Sequence, residues 1–186
     1  GMTTYDPSQH PRGDRGRFKN KARTEPEDGL DANPPTIIRP NGAQEWHRNG
    51  KPHRTDGPAV ISRNGVEEWW FDGERHREDG PAYAVPGGAE EWFRHGILHR
   101  VGGPARTRPD GFQEWYVHGK RHRVDGPAVT HPDGTEVWRV YDELHRTDGP
   151  AITHPDGTLE WWENGERKSS EEEAALSALW KARTPS

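Results

Sequence analysis

Four times the chain sets a histidine three residues before an aspartate: His53 with Asp56, His76 with Asp79, His122 with Asp125 and His145 with Asp148. A fifth histidine, His99, meets Gly102 at the corresponding place. An imidazole and a carboxylate at that spacing can share a divalent metal. They can also act as a general base and the group that orients it. A metal-dependent hydrolase built on this row is therefore one reading of the chain. Against it, no Ser, Cys or third ligand recurs beside the pairs. The pairs also recur in like surroundings, whereas a catalytic centre needs one place that differs from the rest. The structural alternative is that Asp caps a Gly-Pro turn and His lies against a tryptophan ring. On that reading there is no catalytic residue, no metal and no cofactor.

The surroundings repeat every 23 residues, marked by Trp46, Trp69, Trp92, Trp115, Trp138 and Trp161. The recurring phrase is Gly-x-x-Glu-Trp-x-x-x-Gly-x-x-His-Arg-x-Asp-Gly-Pro-Ala, complete from Gly65 to Ala82 and from Gly111 to Ala128. A period of this length signals stacked supersecondary units. Only 28% of the 186 residues are hydrophobic, against roughly 45–50% in an ordinary globular chain. Nine tryptophans compensate, since each buried aromatic removes about 150–250 Å² from water. The absence of cysteine excludes disulfides and thiolate metal sites. No apolar run reaches the roughly 20 residues of a membrane span, which points to a cytoplasmic chain. A net charge of −5 argues against general nucleic-acid affinity.

Two turns alternate. Pro-Asp-Gly at Pro109, Pro132 and Pro155, with Pro40-Asn41-Gly42 before them, suits a type I turn closed by a glycine bulge. Asn49-Gly50, Asp72-Gly73, His95-Gly96, His118-Gly119 and Asn164-Gly165 suit a two-residue type I′ turn. Counting outward from Asp72-Gly73 sets Phe71 opposite Glu74, Trp70 opposite Arg75 and Trp69 opposite His76. Counting from the preceding turn sets Trp69 opposite Ala59. Each ladder tryptophan should thus lie between an alanine and one of His53, His76, His99, His122 and His145, with Lys168 in the last copy. The same count pairs Glu45 with Arg54, Glu68 with Arg77, Glu91 with Arg100 and Glu114 with Arg123, on the face away from the ladder. Asp-Gly-Pro-Ala should be a corner, because proline and glycine interrupt a strand. The expected fold is all-β, an elongated twisted meander of antiparallel hairpins over residues 34–168.

Side chains alternate faces along a strand. The residues following the ladder tryptophans, His47, Trp70, Phe93, Tyr116, Arg139 and Trp162, therefore point to the opposite face. They differ from copy to copy while staying large. With Arg75 and Arg121 nearby they match the composition of interface hot spots; a second packed layer is the alternative. Copy five departs furthest, with Val137, Arg139 and Tyr141-Asp142 replacing Glu, an aromatic and x-Gly. A local kink, a contact point or drift would each account for it.

Two segments flank the array. Residues 1–33 have no periodicity and read as a disordered charged arm. Arg15, Arg17, Phe18 and Lys19 are its candidate partner-docking or nucleic-acid-touching residues. Residues 169–186 hold a helix over 170–183. Ser170 and Glu173 have capping-box spacing. Ala175, Leu176, Leu179 and Trp180 form an apolar stripe. Covering the open end of the array is the expected role; partner binding is the alternative.

The repeat resembles the MORN repeat, and more closely its bacterial variant form. The shared elements are an aromatic-bearing strand, a turn glycine, a Gly-x-x-His element and a second Asp-Gly turn. Trp115, Gly119, His122 and Pro132-Asp133-Gly134 carry them here. His-Arg replaces the usual His-Gly, as at His122-Arg123, and the Tyr-x-Gly-x-Trp strand is compressed to Glu114-Trp115. The resemblance implies a β-hairpin architecture, with protein association, scaffolding or lipid contact as functions, none of them catalytic. The leading expectation is a protein-binding or scaffold module, possible roles including an inhibitor or antitoxin-like partner. A nucleic-acid-associated factor using the basic arm is the alternative.

Overall fold

The computed structural model describes residues 33–184. The expected arm, with Arg15, Arg17, Phe18 and Lys19, lies outside them. The described chain is an antiparallel β-array followed by one helix, Ser170–Arg183. It forms two kinds of β-structure. Twelve two-residue strands, from Ile37–Ile38 to Leu159–Glu160, pair in chain order as one antiparallel sheet. Six separate two-stranded hairpins branch from it, among them Trp70–Phe71 with Glu74–Arg75.

The register is the one the turns specify. Trp70 pairs with Arg75 and Phe71 with Glu74. Val60 pairs with Glu68, which sets Ala59 beside Trp69. The amide of Trp69 donates to the Ala82 carbonyl, and the His76 amide donates to the Trp69 carbonyl. Each tryptophan is thus where a strand leaves the sheet and enters a hairpin. The return strand breaks too, between His-Arg and Pro-Ala. The hairpin turns place non-glycine residues at positive φ, for example Asn49 at 52° and His118 at 50°. The outer turns close as expected, Gly134 donating to the His131 carbonyl at φ 91°. In the copy holding Val85-Pro86-Gly87-Gly88, the positive φ moves to Gly87, giving a type II turn instead.

Copy five keeps the hairpin-to-hairpin hydrogen bonding of its neighbours. Tyr141 and Asp142 take φ of 50° and 73°, and the Asp142 amide still donates to the Arg121 carbonyl, as Gly119 does to Leu98 one copy earlier. The left-handed geometry is imposed without a glycine.

The helix spans Ser170–Arg183 as expected, but its cap lies one residue earlier than the Ser170–Glu173 spacing suggests. Ser169 is the N-cap, and Glu172, not Glu173, closes the capping box. This frees Glu173 to accept the Trp161 amide at 3.1 Å. In every earlier copy that amide donates to an alanine carbonyl of the next repeat. Ser177 accepts the Trp161 indole N–H at 2.9 Å, and Trp180 packs edge-on against the same ring at 6.2 Å. The helix therefore supplies what a further copy would. The face in use is Glu173, Leu176, Ser177 and Trp180. Ala175 and Leu179 of the expected stripe are exposed, because the polar contacts to Trp161 fix the helix rotation.

Candidate functional site

The phrase His-Arg-x-Asp-Gly-Pro-Ala assembles around the ladder indole, with different roles from those expected. It is the arginine, not the histidine, that covers the ring. Arg54, Arg77, Arg100 and Arg123 each lie 3.9 Å from the ring centre of Trp46, Trp69, Trp92 and Trp115, and Arg146 lies 3.8 Å from Trp138. Such a stack is worth about 0.5–2 kcal/mol. The aspartate holds the guanidinium, with Arg123 Nε donating to Asp125 at 2.8 Å and Arg146 Nε to Asp148 at 2.7 Å. These arginines keep the Asp125 and Asp148 carboxyls below their usual range. A second guanidinium nitrogen donates to the proline carbonyl, as from Arg100 to Pro104 at 3.0 Å. Arg100 has no aspartate and stacks equally closely, so the aspartate is auxiliary.

The corner glycine makes room for this stack. A Cβ on Gly126 would stand 2.4 Å from the Arg123 guanidinium carbon, and on Gly80 2.6 Å from that of Arg77. Alanines 59, 82, 105, 128 and 151 are fully buried beside the rings. The expected cross-strand pairs of Glu45, Glu68, Glu91 and Glu114 with Arg54, Arg77, Arg100 and Arg123 do not form. The regular return strand has already ended by His-Arg, so the arginine folds back over the indole before a ladder position opposite the glutamate is reached.

The histidines do a different job. Nδ1 of His53, His76, His99, His122 and His145 accepts the backbone amide of Asp72, His95, His118, Tyr141 and Asn164 at 3.0, 3.2, 3.0, 3.3 and 3.0 Å. Each donor is the first turn residue of the next hairpin. Burial, the largest cause in each case, holds His76, His99 and His122 below the usual imidazole value. The histidine row and the aspartate row are thus committed to separate partners. Among the described residues no three His, Asp or Glu side chains are placed to hold a metal.

The row one residue beyond the ladder lies on the other face, over the glutamates of the sheet. The Trp70 indole donates to Glu68 at 3.2 Å, Trp162 to Glu160 at 3.1 Å, and His47 meets Glu45 at 2.8 Å. Arg75 forms an ion pair with Glu68 at 2.9 Å and sits 5.2 Å from Trp70, 5.2 Å from Tyr83 and 5.6 Å from Phe93. Further along, Glu114 is 3% exposed and receives Arg121 at 2.9 Å and Arg106 at 3.0 Å. Tyr116, 7% exposed, lies against it, and burial followed by the Glu114 charge raises its phenol above the ordinary value. Arg139 turns toward the Asp142 carbonyl.

Of the expected binding residues, then, Trp70, Phe93, Arg75, Arg121, Arg139 and Trp162 are half-buried on this face, while Tyr116 is buried within it. Tyr83 and Arg106 belong to the same face and were not singled out from sequence. Their signal was available. Tyr83 stands directly opposite Glu68, and Arg106 opposite both Glu91 and Glu114. Carrying the strand count across the outer turn would have placed both.

A cleft of about 480 Å³ separates the last hairpin from the helix, lined by Arg146, Trp161, Trp162, Lys168 and Leu176 among others. Lys168 there pairs with Glu163 at 2.8 Å and does not cover the Trp161 ring. No helix of the described residues is long and apolar enough to cross a membrane. Comparison with protein-family models gives no match to this chain. Comparison with curated proteins gives none either.

Proposed function

We propose that the chain is a non-enzymatic protein-interaction or scaffold module of MORN-like repeats, acting in the cytoplasm, with an inhibitor or antitoxin-like role among the forms this could take. The observation that carries the reading is the face centred on Arg75. One guanidinium is shared by Trp70, Tyr83 and Phe93 and is anchored by Glu68. Half-buried aromatics and an arginine, carried on two adjacent hairpins and the sheet strand of Tyr83, resemble the anchors that dominate protein interfaces. Their arrangement is set before a partner arrives, which lowers the ordering cost of association. The residues also change along the row, so successive copies present different side chains to a partner.

The test is capture of a partner from cell extract by wild type and by Trp70→Ala plus Phe93→Ala, with melting temperatures measured in parallel. Loss of a specific partner with little loss of thermal stability supports the reading. Equal recovery by both proteins would remove this face from consideration.

A further inference from the structure

The five ladder histidines form a column that no proposed partner contact uses. Each Nδ1 accepts the turn amide of the next hairpin, at 3.0–3.3 Å. An acceptor nitrogen carries no proton, so the ring must be neutral with its hydrogen on Nε2. Two neighbouring steps add a second imidazole: His76 lies 4.3 Å from His95, and His99 lies 4.6 Å from His118. His122 packs on Tyr141 at 4.1 Å. Two further amide bonds accompany each histidine bond between consecutive hairpins. At the third step Gly119 donates to Leu98 and Arg100 to the Tyr116 carbonyl. Protonating the imidazole replaces one of three attractive contacts with opposed hydrogens.

The charged surroundings differ by step. His53 has the Asp72 carboxylate 3.0 Å from Nδ1, with Arg48 on that carboxylate. His76 faces His95, Glu74, Glu78 and Arg94. His99 faces the like-charged groups His118 and Arg94. For His122 burial alone acts. His145 feels Glu163, itself paired with Lys168. The end steps thus have an anion ready for a protonated ring, and the central steps do not.

We infer that the histidine column is an acid-sensitive latch between successive hairpins, which releases first at His99 and His122 in the centre of the array. A ring held neutral by the fold titrates below its value in the unfolded chain. As pH falls the unfolded state therefore binds its protons first. The contribution of the latch is fully present above about pH 6.5, the unperturbed histidine value. At His76, His99 and His122 it is lost as pH drops through their depressed folded values. The twelve-stranded sheet makes no histidine-dependent amide bond of this kind, so the hairpins loosen before the sheet does.

Urea unfolding of the full chain between pH 8 and 5 tests this, comparing wild type with His99→Asn plus His122→Asn. Asparagine offers a non-titrating acceptor near the Nδ1 position. The wild-type midpoint should fall below pH 6.5, and the variant should show a shallower fall. Equal slopes would overturn the inference. Nitrogen NMR of the wild type decides independently if the variant does not fold. Unprotonated Nδ1 at pH 7.5, with His99 and His122 titrating below free histidine, supports the latch. Protonated Nδ1, or titration at or above the free value, overturns it. Protection of the His118 and Tyr141 amides, taken relative to the intrinsic exchange rate at each pH, should fall on acidification before that of the sheet amides of Ala82 and Ala105; the reverse order would remove the central-release claim.

Discussion

Trp69 and Trp70 are adjacent in the chain and differ in nearly every contact. Trp69 stands between Ala59 and Ala82, both fully buried, with Arg77 stacked on its ring and its indole N–H buried without a hydrogen-bond partner in the protein. Trp70 gives its indole N–H to Glu68 and shares Arg75 with two other rings. The first environment recurs from copy to copy, with arginine-to-ring distances of 3.8–3.9 Å in five of them. The second holds His47, Trp70, Phe93, Tyr116, Arg139 and Trp162 in turn. A position confined between two buried alanines and a stacked arginine admits one solution, so it repeats. A position that faces the sheet on one side only admits many, so it varies. The difference separates what builds the step of the array from what a partner could read.

Removing a ladder ring should have the largest effect. Trp46→Ala should destabilise by about 3–5 kcal/mol in urea unfolding, the range for a buried large aromatic, since Trp46 is 3% exposed. An unchanged midpoint would mean that the ladder is not the core. Next comes the corner. Gly126→Ala puts a methyl against the Arg123 guanidinium, and overpacking of this kind costs about 1–3 kcal/mol. A neutral result would show that the arginine can leave the ring without loss. Trp70→Ala should cost less than Trp46→Ala, because Trp70 is only half-buried. Equal costs in calorimetry would erase the distinction between the columns.

The smallest effect should be a gain. Asp142 holds φ of 73° without being glycine, a geometry that costs an L-residue about 1–2 kcal/mol. Its carboxylate recovers part of that by accepting the Arg121 amide at 2.9 Å. Asp142→Gly should raise stability by about 0.5–1 kcal/mol. A lower melting temperature would show that the carboxylate contact outweighs the backbone strain.

Much of this was readable from the residues. The two turn types fixed the strand register, since a two-residue Asp-Gly loop leaves one way to pair Trp70 with Arg75. The helix span followed from its end charges and apolar content, but its cap was displaced by one residue because Glu173 is used by the Trp161 amide. The roles inside His-Arg-x-Asp were not readable. Spacing places His76 beside Trp69 on the backbone ladder, but it does not say which of two adjacent side chains turns back over the ring. That depends on the path of the chain through Gly80-Pro81, which only the folded corner defines.

By itself, then, the sequence determined the repeat, the antiparallel pairing and the positions of the indoles, because these follow from local turn geometry and a fixed period. The tertiary structure alone decided that arginine covers the indole, that histidine joins one hairpin to the next, and that Tyr83 and Arg106 share a face with Trp70. These contacts link residues from different turns or different copies, and each is chosen by the space and the unpaired hydrogen-bonding groups that stacking creates.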